Sequence, residues 1–471
     1  MKTFLLSPVL AALVLAGCAT APAVDTAQLP ITPATFKEAG QARWTVSAPA
    51  EAQSRGAWWT SFNDPVLNDL VDRAGARNTS IQTAAARLAQ ARALLRSADA
   101  DRLPQVGLGA GVNRQGAAAV GTPLGTVANV GANLSYELDL FGRLAKASDA
   151  ASLDAKAREA LLQSTRLLVQ SNVAQSYLQL RALDTERALV RDTVQAYRNT
   201  LSLTERRFQA GDVAELDVAR VRTEVAATES EAIALDRRRA ELEHALAVLV
   251  GEAASSFQVD AGDWNTALPV IPAGVPSTVL ARRPDVSAAQ TSLLAAQARV
   301  GVAKAAWFPS LSLTAHGGYA SPDLGDLFKW STRAWGVGAL LSLPIFDGGR
   351  REAGVQIANA DLDIAGAAYR EQVLVAFKDV EDQLSALRLL ADQAQAQTRA
   401  VDSATRATVL SASRYRNGLV SQLELLDAQR SELSNRRQAL QVKAAQYQAT
   451  VGLVRALGGG WDAAPASALQ N

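Results

Sequence analysis

The sequence holds one cysteine, Cys18, and two histidines, His244 and His316, in 471 residues. A lone cysteine forms no internal disulfide and no cysteine metal cluster. Two histidines far apart in the chain leave metal-based or imidazole-based catalysis little to be built from. An excess of one charge is missing too: 47 Lys and Arg stand against 46 Asp and Glu, so nothing in the balance points to nucleic acid. Aromatic residues make up 5% of the chain while hydrophobic residues make up 48%. The apolar share is therefore mostly Ala, Leu and Val, which suits long helices better than aromatic-rich cores. After the first positions there is no run of about 20 apolar residues, so no helix is available to span a bilayer. No catalytic residue, metal ligand or cofactor is expected.

Met1-Lys2 supplies a positive charge, and Phe4 to Ala16 is apolar and too short to span a membrane. The run ends in Leu15-Ala16-Gly17-Cys18, which resembles the bacterial lipoprotein box, in which the cysteine thiol is lipidated. The resemblance implies a signal peptide over 1–17, with Cys18 as the lipidated first residue of a tether over 18–56 rich in Ala, Pro and Thr. Ala19 stands where an Asp would imply inner-membrane retention, so transfer to the outer membrane is expected.

The chain repeats itself. Arg207-Phe208-Gln209-Ala210-Gly211 matches Arg414-Tyr415-Arg416-Asn417-Gly418, and Leu134-Ser135 matches Leu341-Ser342 at the same offset. Each half carries a helix, two strands, a very long helix, a glycine break and a shorter helix, the mark of a duplicated unit. The repeats are expected over 57–257 and 258–457, with a tail over 458–471.

Alternation picks out four strands, about 105–113, 128–138, 310–319 and 334–343. In the first, Val106, Leu108, Ala110 and Val112 oppose Gln105, Gly107, Gly109, Gly111 and Asn113. In the third, Leu311, Leu313, Ala315 and Tyr319 oppose Ser310, Ser312, Thr314, His316 and Gly318. Each run is about ten residues, the length of a tilted membrane-crossing strand. Phe141, Trp307, Phe308, Phe328, Trp330 and Trp335 cluster at the strand ends like an interfacial girdle. Four strands cannot close a barrel, and an open sheet edge in lipid is too costly. The chain must therefore oligomerise: two copies give eight strands and a filled interior, three give twelve and a lumen. The polar, glycine-rich face favours three.

Proline-free segments over about 143–208 and 350–416 would each make ~100 Å of continuous helix at ~1.5 Å per residue. Their apolar spacing is that of a coiled coil, as in Val373, Phe377, Val380, Leu384 and Leu387. Gly211 and Gly418 turn the chain back into helices over about 214–250 and 421–457, which places the glycine turns at the far tips of the molecule.

Several motifs in this order resemble one family: Trp58-Trp59 with Phe62-Asn63-Asp64-Pro65-Val66-Leu67, Arg283-Pro284-Asp285-Val286, Phe308-Pro309-Ser310, and Arg414-Tyr415 with Gly418, Leu423 and Leu426-Asp427-Ala428-Gln429. The family is the TolC-like outer-membrane efflux factors, in the branch of lipoprotein (NodT-type) channels of resistance–nodulation–division pumps. The resemblance covers about residues 57–457. It implies a mostly α fold with a small β part, a homotrimer with a twelve-stranded outer-membrane β-barrel, and a periplasmic α-barrel. It implies docking to a periplasmic adaptor and an inner-membrane transporter, export of small molecules, and no chemistry in this subunit. Carried over residue by residue, Leu423, Glu424 and Asp427 correspond to an apolar and acidic channel constriction. Asp217 and Tyr415 correspond to a tip lock between neighbouring helices. The Arg that assists such a lock in the family is Val420 here, so an apolar and acidic constriction is the stronger expectation.

Two other functions compete. A non-conducting, envelope-spanning structural lipoprotein explains the helices and the anchor but not two hairpins with lumen-type faces. A periplasmic enzyme on a coiled-coil scaffold finds no support: Gly348-Gly349 lacks the phosphate-loop pattern, and no cluster of titratable groups converges. His316 falls on the polar face of a strand, as a lumen residue would, and His244 falls within a helix.

Overall fold

The computed structural model describes residues 35–40, 56–117, 122–269, 280 and 282–459. The expected signal peptide, the lipidation site Cys18, most of the tether and the tail from 460 onward lie outside the described residues. The chain forms two compact units, and the long helices contribute to both.

The first unit contains Ala86–Ala160 and Ala288–Gln372. Its centre is one antiparallel sheet in the order β1 (Gln105–Ala117), β2 (Thr122–Leu138), β3 (Ser310–Ser321), β4 (Arg333–Ser342). The register aligns the alternation across all four strands. Val106, Leu134, Ala315 and Val337 form one transverse row, and Gly107, Asn133, His316 and Gly336 form the next, on the opposite face. The first hairpin is longer than its alternation predicts: β1 continues from 113 to Ala117, and β2 begins at Thr122 rather than 128. The ladder is made by backbone groups and continues where the apolar face has ended, so alternation marks only part of it.

The helices are α1 (Pro65–Arg77), α2 (Thr79–Ala100), α3 (Arg143–Gln209), α4 (Glu215–Val250), α5 (Pro284–Ala305), α6 (Arg350–Arg416) and α7 (Gln422–Ala456). The order α2-β1-β2-α3-α4 recurs as α5-β3-β4-α6-α7. The long helices α3 and α6 have 67 residues each. The shorter pair begin one residue later than expected because Ala214 and Ser421 are extended caps; the Ser421 side chain accepts the Glu424 N–H at 3.3 Å. Likewise Asp64 caps α1, accepting from Val66 and Leu67.

The second unit takes in Ile31–Ala85, Leu161–Ser287 and Val373–Asn471. Its core follows the heptads. Tyr197, Val221, Val225 and Leu426 form one buried cluster, and Leu183, Val190 and Leu235 another. In a third, Phe36 enters a groove formed by Val380 and Leu384 of α6 and Leu453, Ala456 and Leu457 at the end of α7. Burying that ring contributes on the order of 1.5–3 kcal/mol. The Glu381 carboxylate accepts the N–H groups of Lys37 and Glu38 at 2.7 and 3.0 Å, and Arg388 donates to Glu38 at 2.9 Å.

Candidate functional site

The helix pairs reverse at two matching turns. Gly211 and Gly418 have φ of 81° and 69°, a conformation glycine adopts without a Cβ penalty. In each turn the residue after the glycine donates back to a carbonyl five residues earlier, Asp212 to Arg207 at 2.8 Å and Leu419 to Arg414 at 2.9 Å. This is a Schellman ending, made twice.

Beyond each turn the two repeats present equivalent positions with different charge. Leu216 and Leu423 are both exposed. In the first copy Asp217 pairs with Arg220 at 3.7 Å, so these two positions together carry no net charge. In the second copy the same positions are Glu424 and Asp427, two acids on one exposed helix face. Leu423, Glu424 and Asp427, the three predicted constriction residues, are thus brought to one face. Asp427 lies 3.6 Å from Arg430, which also pairs with Glu224 on α4. One heptad on, Arg437 pairs with Glu231 at 2.5 Å and with Glu186 at 2.7 Å. Arg430–Glu224 and Arg437–Glu231 are therefore two rungs of an ion-pair ladder joining α4 to α7, and they flank a groove of about 390 Å³. The hydrogen bond that Arg430 donates to Glu224 holds its guanidinium above the ordinary range. Burial pushes the neighbouring Tyr197 phenol up to about 12, with the Glu224 charge adding to it.

The two predicted lock residues are not joined to each other within the chain. Tyr415 is buried, and its hydroxyl lies 3.2 Å from Thr204 Oγ1, which lies 3.1 Å from Gln422 Oε1. Arg207 stacks over the Tyr415 ring at 4.9 Å and donates to the Tyr415 carbonyl at 3.2 Å. Asp217 goes to Arg220 instead. Thr204 and Gln422 escape a reading of motifs, yet Thr204 carried a signal. Val190, Val194, Tyr197, Leu201 and Thr204 step by four and three, so a hydroxyl sits on an apolar seam.

In the sheet the apolar face is bare. Val106, Leu108, Val112, Trp335, Val337 and Leu341 are all exposed, Leu108 by 88%. Of the six predicted girdle aromatics, Trp307, Phe328, Trp330 and Trp335 are exposed, whereas Phe141 and Phe308 stack on each other at 4.8 Å. Arg333 lies over Trp330 and Arg351 over Trp307. His316 is exposed on the polar face and His244 is exposed on α4. Among the described residues no group of three His, Cys, Asp or Glu is placed to hold a metal, and no helix is long and apolar enough to cross a membrane.

A duplicated long-helix unit, together with a four-stranded sheet that has one bare apolar face, defines a class, that of outer-membrane channels. The outer membrane efflux protein model matches residues 70–252 and 275–459, one match in each repeat, and the chain belongs to that family. It is 33% identical over 462 residues to the cation efflux system protein CusC of Escherichia coli O6:H1, covering 97% of this chain and 99% of that one. It is 33% identical over 473 residues to the toluene efflux pump outer membrane protein TtgC of Pseudomonas putida, covering 98% and 96%. The solved outer-membrane channel OprN superposes with a TM-score of 0.87 at 30% identity, over 94% of this chain and all of that chain. The Campylobacter jejuni CmeC outer membrane channel superposes with a TM-score of 0.85 at 26% identity, over 94% and 96%. The chain is an outer-membrane efflux channel protein that extends into the periplasm.

Proposed function

We propose that three copies of this chain, each anchored through a lipid on Cys18, close their sheets into one twelve-stranded barrel and form the outer duct of a tripartite pump. One observation carries the stoichiometry. The sheet has two free edges, β1 and β4, beside an apolar face that is exposed in the single chain. A free edge in lipid leaves backbone donors and acceptors unpaired at several kcal/mol each, so β4 of one copy must pair with β1 of the next. Three copies give a ring wide enough for a lumen, whereas two would fill with side chains. A periplasmic adaptor and an inner-membrane resistance–nodulation–division transporter deliver the cargo, and the subunit itself performs no reaction.

At the glycine turns, Leu423, Glu424 and Asp427 form the constriction. By threefold symmetry they give an apolar ring beside two acidic rings that repel anions and concentrate cations. Tyr415 acts in the tip lock through Thr204 and Gln422, with Asp217 held by Arg220. The relatives are named for cations, toluene and antibiotics. A wide duct with a cation-favouring tip is compatible with small organic molecules and cations alike. The test of assembly is a panel of paired cysteines, one on β1 and one on β4, oxidised in intact outer membranes. A cross-linked ladder ending at three copies supports the barrel; pairs that never cross-link between copies contradict it.

A further inference from the structure

The polar face of the sheet has a regular construction. Glycines occupy polar-face positions of the outer strands β1 and β4, and all of these but Gly109, which lies opposite Gly131, are overlain by a side chain from the neighbouring inner strand. A Cβ built on Gly107 would stand 2.9 Å from Asn133 Oδ1, and one on Gly111 would stand 3.2 Å from Asn129 Oδ1. On the other side, a Cβ on Gly338 would stand 3.1 Å from Thr314 Oγ1. One on Gly336 would overlap the His316 imidazole, with its Nε2 at 2.9 Å. The strand pairing makes these direct cross-strand neighbours: Gly107 with Asn133, Gly111 with Asn129, Thr314 with Gly338 and His316 with Gly336. In all four cases a side-chain atom of the inner-strand residue reaches towards the edge of the sheet, close to where a Cβ on the glycine would stand.

We propose that Gly107, Gly111, Gly336 and Gly338 are positioning residues that hold Asn133, Asn129, His316 and Thr314 down against the wall of the lumen and so set the largest solute the barrel admits. This inference rests on the trimeric barrel proposed above. When β4 of one copy meets β1 of the next, two glycine-bearing strands lie side by side. The lumen then carries three smooth floors alternating with three pairs of side-chain-bearing strands. The row containing His316 and Asn133 has large side chains on β2 and β3 and glycine on both outer strands, so it has the most to lose. A methyl group at Gly336 takes the space the imidazole occupies. In a strand the ring cannot pass through the backbone, so it must rise into the lumen.

The effect is measured on the full-length lipidated channel in planar bilayers, with polyethylene glycols of graded size added from the extracellular side. The size at which polymer ceases to enter the barrel reports its width. Gly336→Ala is expected to shift the cut-off to smaller polymers. His316→Ala in the same chain is expected to return it to the wild-type size or above, a non-additive pair of the kind that contacting residues give. Gly107→Ala with Asn133→Ala makes the same test on the opposite outer strand, should Gly336→Ala fail to insert. An unchanged cut-off in Gly336→Ala, or a shift that persists without His316, overturns the proposal. So does failure of both glycine variants to insert, which would assign the glycines to assembly. Absence of conductance from a folded wild-type trimer would overturn the duct itself, and the inference with it.

Discussion

Leu249 and Ala456 stand at equivalent places in the two repeats, and each has its carbonyl satisfied by a side chain of a different kind. Asn78 Nδ2 donates to the Leu249 carbonyl at 2.7 Å, and Arg283 Nη1 donates to the Ala456 carbonyl at 3.3 Å. A helix leaves its last carbonyls without intrahelical partners, and the duplicated unit keeps this requirement while exchanging the donor. Arg283 also binds Asp285 at 2.7 Å and Asp379 at 3.1 Å, and the three groups are largely buried. Arg283→Met removes the shared cation from two acids and the donor from Ala456, with an expected loss of about 3–5 kcal/mol. Asn78→Ala removes that neutral donor together with the Oδ1 that caps α2 by accepting from the Ser80 and Ile81 N–H groups at 2.9 and 3.2 Å, and is expected to cost about 1–3 kcal/mol. Denaturant unfolding followed by helical circular dichroism measures both, and equal losses would contradict this assignment.

The constriction is tested by Glu424→Ala with Asp427→Ala. Removing the two acids per chain is expected to raise single-channel conductance and weaken block by multivalent cations. Unchanged conductance together with unchanged block would remove these residues from the constriction. Arg220→Ala, at the repeat-equivalent place of Asp427, is expected to leave cation block nearly unchanged, because it frees Asp217 beside a different turn.

The tip lock makes a separate prediction. Tyr415→Phe and Thr204→Val each break the bond between the two hydroxyls, at about 0.5–1.5 kcal/mol for one neutral hydrogen bond. By mass action that is a rise of roughly two- to tenfold in the population of the open tip. Fractional open time in bilayer recordings reads it directly. Asp217→Asn is expected to change open time less than Tyr415→Phe, and the reverse order would return the lock to Asp217.

Alkaline pH tests the buried phenols. Burial raises Tyr177 and Tyr197 from an ordinary 10.0 to about 12. Tyr177 donates to Asp64 at 2.8 Å and accepts from Arg181 at 2.9 Å. The folded chain therefore keeps these protons where the unfolded chain has lost them. Their contribution is fully present below pH 10 and is lost as pH rises through 12. The unfolding midpoint is expected to fall over that window, and to fall less steeply in Tyr197→Phe. Parallel curves for wild type and variant would contradict this.

Regular elements were legible in the sequence because periodicity is local. The heptad steps, the alternation and the glycine breaks each predict an element from a few adjacent residues, and helix ends fell within one residue. Phe36 was not legible: the adjacent Lys37–Glu381 bond spans 344 residues, and nothing near Phe36 in sequence names the groove it enters. The lock partners were half legible. Thr204 broke an apolar seam, but Gln422 at the start of α7 looks like any exposed polar residue until the fold buries it. The leaning of His316 over Gly336 needs the register of two strands, which alternation alone does not fix.

The central claim is that this chain becomes a duct only as a closed trimer. Native mass spectrometry of the detergent-extracted, lipidated protein, with bilayer conductance recorded on the same sample, tests it most directly. Three copies per particle together with ion conductance is the predicted result. A monomer, or an assembly that does not conduct, would contradict it and would favour an envelope-spanning structural lipoprotein.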